Sequence, residues 1–196
     1  VIIHGGIEHY QLPTPRMKKT YRFFIDVGAS VVINHHQHCF SGYEIYKSKA
    51  IFYGLGNFCF DRKEERNSIW NQGYAVMLVW DDNINFKIYP YIQCNQSPTV
   101  CKQVDNFYGE NIESLNRIIA NDNLLEQSLQ TLAASKERSF LYNLSPLDNR
   151  YISALYRRGY LKTLYPEKKL FTTKNLICCE SHNEILKEIL YEATKS

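Results

Sequence analysis

Five of the six histidines in this 196-residue chain fall within its first 38 residues: His4, His9, His35, His36 and His38. Imidazole is the commonest protein ligand for zinc, iron and similar ions, so a cluster of this density asks for a chemical cause. His36 and His38 stand two apart, just past a β-branched run. In extended backbone their side chains share one face, and in a turn both can converge on one or two ions. His4 closes the apolar run Val1–Ile3. If the two runs pair as neighbouring strands, His4 lies about 5 Å away laterally. Three imidazoles at adjoining strand tips make a metal site the expected chemistry. The plainer reading of the cluster is a polar surface loop. For His9 and His182 the expected role is that of a hydrogen-bonded structural ring.

The elements that must carry these rings are readable nearby. Thr14-Pro15 supplies a helix cap and a first-turn proline, Met17, Tyr21, Phe24 and Ile25 recur at helical spacing, and Gly28 stands where a helix-ending glycine belongs. With Ser30–Asn34 as the following strand, residues 1–34 read as strand, helix, strand, which is normally a right-handed parallel crossover. Ligands of open α/β sheets sit at the carboxyl ends of such strands. Tyr43–Tyr46 and Ala50–Tyr53 read as two strands around a tight turn. Gly73–Trp80 and Ile84–Ile92 alternate apolar and polar residues about Asp81-Asp82-Asn83, the pattern of an antiparallel hairpin. From about residue 105 the character turns helical, with segments expected at Ile112–Ala120, Asn123–Ala134, Lys136–Asn143, Asp148–Arg158 and Ser181–Ala193. The expected division is thus an α/β domain over residues 1–104 and a helical extension over 105–196.

Composition narrows the partners. The chain is 44% hydrophobic and 14% aromatic, globular values, and its net charge of +3 is too small to imply a nucleic-acid or membrane partner. No apolar run approaches the roughly 20 residues needed to span a bilayer. The six cysteines contain no C-x-x-C pair and read as reduced thiols, which points to a cytoplasmic setting. Were the domain exported, Cys94 and Cys101 could pair across a loop. The chain opens at Val1 inside what reads as a buried strand, so an upstream segment is expected to precede it. That segment could equally anchor the protein at the cell envelope.

Four linked segments resemble the CapA, or poly-γ-glutamate capsule synthesis (PGA_cap), family of the calcineurin-like metallophosphoesterase superfamily. His4-Gly5-Gly6-Ile7-Glu8 is similar to its H-W-G-x-E motif. The run from Asp26 to His38 is similar to its D-x-G-A-D-x-V-I-G-H-H-P-H run. Tyr43–Tyr46 and Ile51–Asp61 resemble its E-x-Y and I-x-Y-S-L-G-N-F-x-F-D segments. The likeness covers residues 1 to about 92.

The resemblance implies the C-terminal half of a metallophosphoesterase-like β-sandwich flanked by helices. It implies two divalent ions in the intact domain, with zinc, manganese and iron equally admissible. His36 and His38 would each serve one metal, and His4 would join His36. Glu8 would orient a ligand or touch substrate, and Asn57 would position a bound oxyanion. The expected reaction is hydrolysis of a small-molecule or polymer substrate in capsule or poly-γ-glutamate synthesis, alongside other capsule-synthesis proteins. Two ions about 3.5–4 Å apart would activate water and clamp the reacting oxygens. Asn34, Gln37, Gly5 and Gly54 depart from the family's glycine, proline, tryptophan and serine. The superfamily's early D-x-H, G-D and G-N-H motifs are not found in these 196 residues. This stretch alone is therefore expected to hold at most one loosely bound ion and to lack turnover. A non-catalytic assembly factor and an inactive fragment remain the alternatives.

Overall fold

The computed structural model describes residues 1–80, 84–95, 101–105, 112–143, 149–162 and 166–178. The hairpin turn at 81–83, the helix expected at 181–193 and His182 lie outside them. The described residues form a mixed α/β structure with two sheets and five α-helices. The chain divides into two compact units, Val1–Gln130 and a second from Thr131 onward.

The first unit opens with β1 (Ile2–His4), α1 (Pro15–Asp26) and β2 (Val31–His35). The Thr14 hydroxyl accepts from the Met17 amide at 3.2 Å and Pro15 fills the first turn, so the start of α1 is fixed locally. Its end is a complete Schellman motif. Gly28, at φ 115°, donates to the Ile25 carbonyl, and Ala29 donates to that of Phe24. The chain then returns so that β1 and β2 pair in parallel, His4 opposite His35.

A β3–β4 hairpin (Tyr43–Tyr46, Lys49–Phe52) completes the first sheet in the order β1-β2-β4-β3, with β4 parallel to β2. Its two-residue turn, Lys47-Ser48, has both φ angles positive, the geometry whose twist matches the flanking strands. The long hairpin β5–β6 (Gln72–Trp80, Ile84–Gln93) follows the expected alternation. It acquires a third strand, β7 (Cys101–Gln103), that the sequence did not announce. The two sheets meet through Phe86, whose ring stands edge-on to Phe52 and Tyr43 at 5.1 and 5.3 Å.

α2 (Ile112–Ala120) packs into this unit as well. Leu115 and Ile119 are buried in its core, and the Asn116 side chain accepts from the Tyr43 amide of β3 at 2.7 Å. Burying each aliphatic side chain contributes about 1.5–3 kcal/mol. Lys18 of α1, itself buried, donates to the Ile119 carbonyl at 2.5 Å and to Asp122 at 2.6 Å. The compact unit therefore extends past the expected boundary at residue 104.

α3 is one 22-residue helix, Asp122–Asn143, where two were expected. In the second unit α4 (Arg150–Arg157) is capped by Asn149, whose side chain accepts from the Tyr151 and Ile152 amides. α5 (Glu167–Cys178) has no buried residue, so no apolar stripe betrayed it in the sequence. No described helix is long and apolar enough to cross a membrane.

Candidate metal centre

The histidines sit where two parallel strands run out, and buried polar bonds stitch those tips together. Gly5 donates to the His35 carbonyl at 2.9 Å and His9 to the Gln37 carbonyl at 2.8 Å. Asn34, fully buried, donates through Nδ2 to the carbonyls of Gly5 and Tyr53, both at 2.8 Å, and accepts from the Tyr21 hydroxyl at 2.9 Å. Deleting such a group would orphan several buried partners at once. On this frame the loop takes unusual backbone angles: φ is 117° at His36, 57° at His38 and 59° at His9. A side chain at φ 117° costs on the order of 1–3 kcal/mol, and such strain concentrates at functional sites.

The three candidate ligands are brought to one surface as a pair and a single ring. His36 Nδ1 and His4 Nε2 lie 3.0 Å apart, with ring centroids at 4.7 Å. Two nitrogens at about 2.0–2.1 Å from one cation, set at nearly a right angle, stand about 3 Å apart, so the spacing suits a shared ion as well as a hydrogen bond. His38 is separate, its centroid 6.1 Å from that of His36. Its Nδ1 faces Asn57 Oδ1 at 2.9 Å, while Asn57 Nδ2 donates to the carbonyls of His38 and Trp70 at 3.0 and 3.2 Å. Because Asn57 presents its oxygen, Nδ1 carries the proton and the Nε2 lone pair is left for a ligand. Asn57 thus braces His38, with both ends of its amide bonded within the chain. Among the described residues no three His, Cys, Asp or Glu side chains are grouped closely enough to hold an ion. The fit is therefore partial: a chelating pair and one prepared donor, each short of a closed coordination shell.

Glu8 is exposed, and its Oε1 lies 4.0 Å from His36 Nε2, beyond direct hydrogen-bond reach. Partial burial, and then the charge of His4, lowers the His35 pKa and favours its neutral ring. A cavity of about 240 Å³ opens here, lined by His4, His36, His38, Asn57 and Phe58 among others.

The sequence reading missed the ring that backs His38. Trp70, buried, stacks on His38 at 4.8 Å and on His9 at 5.5 Å, and donates through Nε1 to the Phe60 carbonyl at 2.9 Å. The Arg62 guanidinium covers Trp70, 5.1 Å from a ring centroid. Thirty-two positions separate His38 from Trp70, and only the aromatic density of Phe58, Phe60 and Trp70 hinted at the contact. His9, expected to be merely structural, belongs to the same stack.

The departures from the family pattern also come together. Gln37 Oε1 lies 3.4 Å from Asn34 Nδ2, and a Cβ added at Gly54 would stand 2.2 Å from that same oxygen. Gln37 thus occupies the space a serine at position 54 would need. Its Nε2 is buried without a partner among the described residues.

A parallel α/β crossover with imidazoles at its strand tips is the setting in which the comparisons fall. Residues 1–62 match the family described as Bacterial capsule synthesis protein PGA_cap, and this segment is CapA-like. It is 39% identical over 59 residues to the capsule biosynthesis protein CapA of Bacillus anthracis, covering 30% of this chain and 14% of that protein. Against the PGA biosynthesis protein CapA of Bacillus subtilis the identity is 39% over 59 residues, covering 30% and 16%. An uncharacterized protein of Sinorhizobium fredii, y4sH, is 50% identical over 40 residues, 20% of this chain and 9% of that protein. The match thus spans only about one-seventh of the two CapA proteins' own length.

Proposed function

We propose that this chain carries the imidazole-bearing part of a calcineurin-like metallohydrolase centre, in a protein that serves capsule or poly-γ-glutamate synthesis. The observation that carries the reading is the preparation of the rings. His4 and His36 are spaced for one cation, and Asn57 fixes the His38 tautomer that leaves Nε2 free. His4 and His36 would hold one ion and His38 a second, with carboxylates from outside this stretch completing both. Bound divalent ions would supply Lewis-acid activation of water and of a phosphoryl or acyl oxygen. The chain's own part is to hold the donors rigid, back His38 with the Trp70 ring, and set the exposed Arg62 over that same ring. That guanidinium favours a ligand bearing a carboxylate or phosphate. The sandwich architecture of that superfamily is part of the same proposal, supported by the aromatic contact between the two sheets.

A second reading, an assembly factor without turnover, draws on the lack of any three-ligand group among the described residues. Zinc and manganese binding, measured by equilibrium dialysis, separates the two. The metallohydrolase reading expects an ion that is lost in His36→Ala and bound roughly 10–100-fold more weakly in Asn57→Ala. It also expects a chain extended upstream to include the early motifs to hydrolyse bis-p-nitrophenyl phosphate. Should neither form bind metal, the assembly reading takes its place.

A further inference from the structure

Three cysteines far apart in sequence gather at the end of β6. Cys94 follows Gln93, the last residue of β6, at φ 46°, and is fully buried. Cys101 of β7 is the register partner of Gln93. From the other side, the Phe60 amide donates to Gln93 Oε1 at 2.9 Å, and Gln93 Nε2 donates to the Phe60 carbonyl at 3.3 Å. This double tie brings together the residues next to Phe60 and Gln93 in the chain, Cys59 and Cys94, and Cys59 is among the groups that raise the Cys94 pKa. Burial, and then the charge of Cys59, raises the Cys101 pKa. Cys59 and Cys101 are exposed.

We propose that Cys59 and Cys94 form a peroxide-sensitive thiol pair that closes reversibly to a disulfide. Cys59, the exposed member, is oxidised first: its sulfur takes one oxygen from hydrogen peroxide, giving a sulfenic acid and one water. The Cys94 sulfur then attacks that of Cys59. The S–O bond breaks, and hydroxide leaves with the Cys94 proton as a second water. Two thiols and one peroxide become one disulfide and two waters. Cys94 is fully buried and Cys59 exposed, so the oxidant reaches Cys59 first and Cys94 meets only its oxidised neighbour. The pair proposed here is Cys59 with Cys94; the sequence offered Cys94 with Cys101 for an exported domain. The bond would staple the segment that carries Asn57 to the end of β6, and the inference is independent of any bound metal.

The test uses the full 196-residue chain, reduced, freed of reductant, treated with hydrogen peroxide, then denatured, alkylated and digested. A cross-linked peptide joining Cys59 to Cys94 is expected, together with the loss of two alkylation sites and their return on reduction. Cys101→Ser forms the cross-link in unchanged yield, and Cys59→Ser, a substitution at an exposed site, leaves Cys94 fully alkylated. A Cys59–Cys101 link overturns the proposal. So does Cys59 ending as a sulfinic acid, or left as a thiol, with Cys94 still reduced.

Discussion

Two polar clusters share the first sheet and are built on different terms. In one, Arg22 of α1 clamps Glu44 of β3 with Nη2 at 2.6 Å and Nε at 3.1 and 3.2 Å, and the Tyr53 hydroxyl donates to the same carboxylate at 2.5 Å. The guanidinium also lies over the Tyr46 ring at 4.9 Å. Every charge there has its partner. Hydrogen bonding to Glu44 raises the Arg22 pKa, and burial pushes that of Tyr53 far up, so neither group changes state near neutrality. In the other cluster, His4, His36 and His38 are partly partnered and open to a cavity, with His36 and His38 held at positive φ. A charged cluster whose bonds are all closed within the chain has nothing left to offer a ligand. One whose donors are fixed but incomplete does, and that contrast distinguishes a brace from a site.

The largest effect should come from breaking the brace. Glu44→Ala leaves Arg22 and the Tyr53 hydroxyl unpaired in a largely buried place, and should lower stability by about 3 kcal/mol in urea unfolding. If the comparison is right, metal retention by the surviving folded protein is unaltered. Loss of metal binding in the folded variant would mean that the two clusters are not separate. The next effect concerns the packing beneath the histidines. Gly54→Ser drives a Cβ to 2.2 Å from Gln37 Oε1, and Gln37 is buried and cannot swing aside into solvent. Overpacking of this kind costs roughly 1–3 kcal/mol. Adding Gln37→Ala removes the obstructing amide, so the double variant should be more stable than the sum of the single losses by about 1 kcal/mol. Simple additivity would mean that the two departures from the family pattern are unrelated.

What the sequence made legible was whatever leaves a local trace. The β1–α1–β2 crossover announced itself through Thr14-Pro15 and Gly28, because a side-chain cap and a Schellman glycine act within a few residues. The β5–β6 hairpin did so through period-two alternation. The gathering of His4, His36 and His38 on one surface followed from that crossover. Contacts between distant residues left no such trace. Asn116 bonding to Tyr43 spans 73 positions, and no periodicity encodes it. The contacts of Asn57 were hidden for a related reason. An asparagine in a glycine-punctuated loop reads as free to meet a ligand, whereas its amide is taken up by His38 and by Trp70, 13 positions further on.

The smallest predicted effect isolates the strain itself. At φ 117° a residue with a Cβ is disfavoured and glycine is not. His36→Gly and His36→Ala both remove the imidazole and both should abolish metal retention at the His4–His36 pair, yet they differ in backbone cost. Alanine keeps the Cβ at a left-handed angle, while glycine relieves it but also loosens the unfolded chain. The net expectation is that His36→Gly is more stable than His36→Ala by about 1 kcal/mol. The same pair at position 38 should differ less, because φ 57° lies in the region that histidine tolerates best among positive angles. If alanine at position 36 were as stable as glycine, the loop would be relaxing to an ordinary conformation once the ring is gone. The backbone would then hold no strain to present His36 to His4, and the histidine cluster would lose one of the two features that set it apart from the Arg22–Glu44 brace.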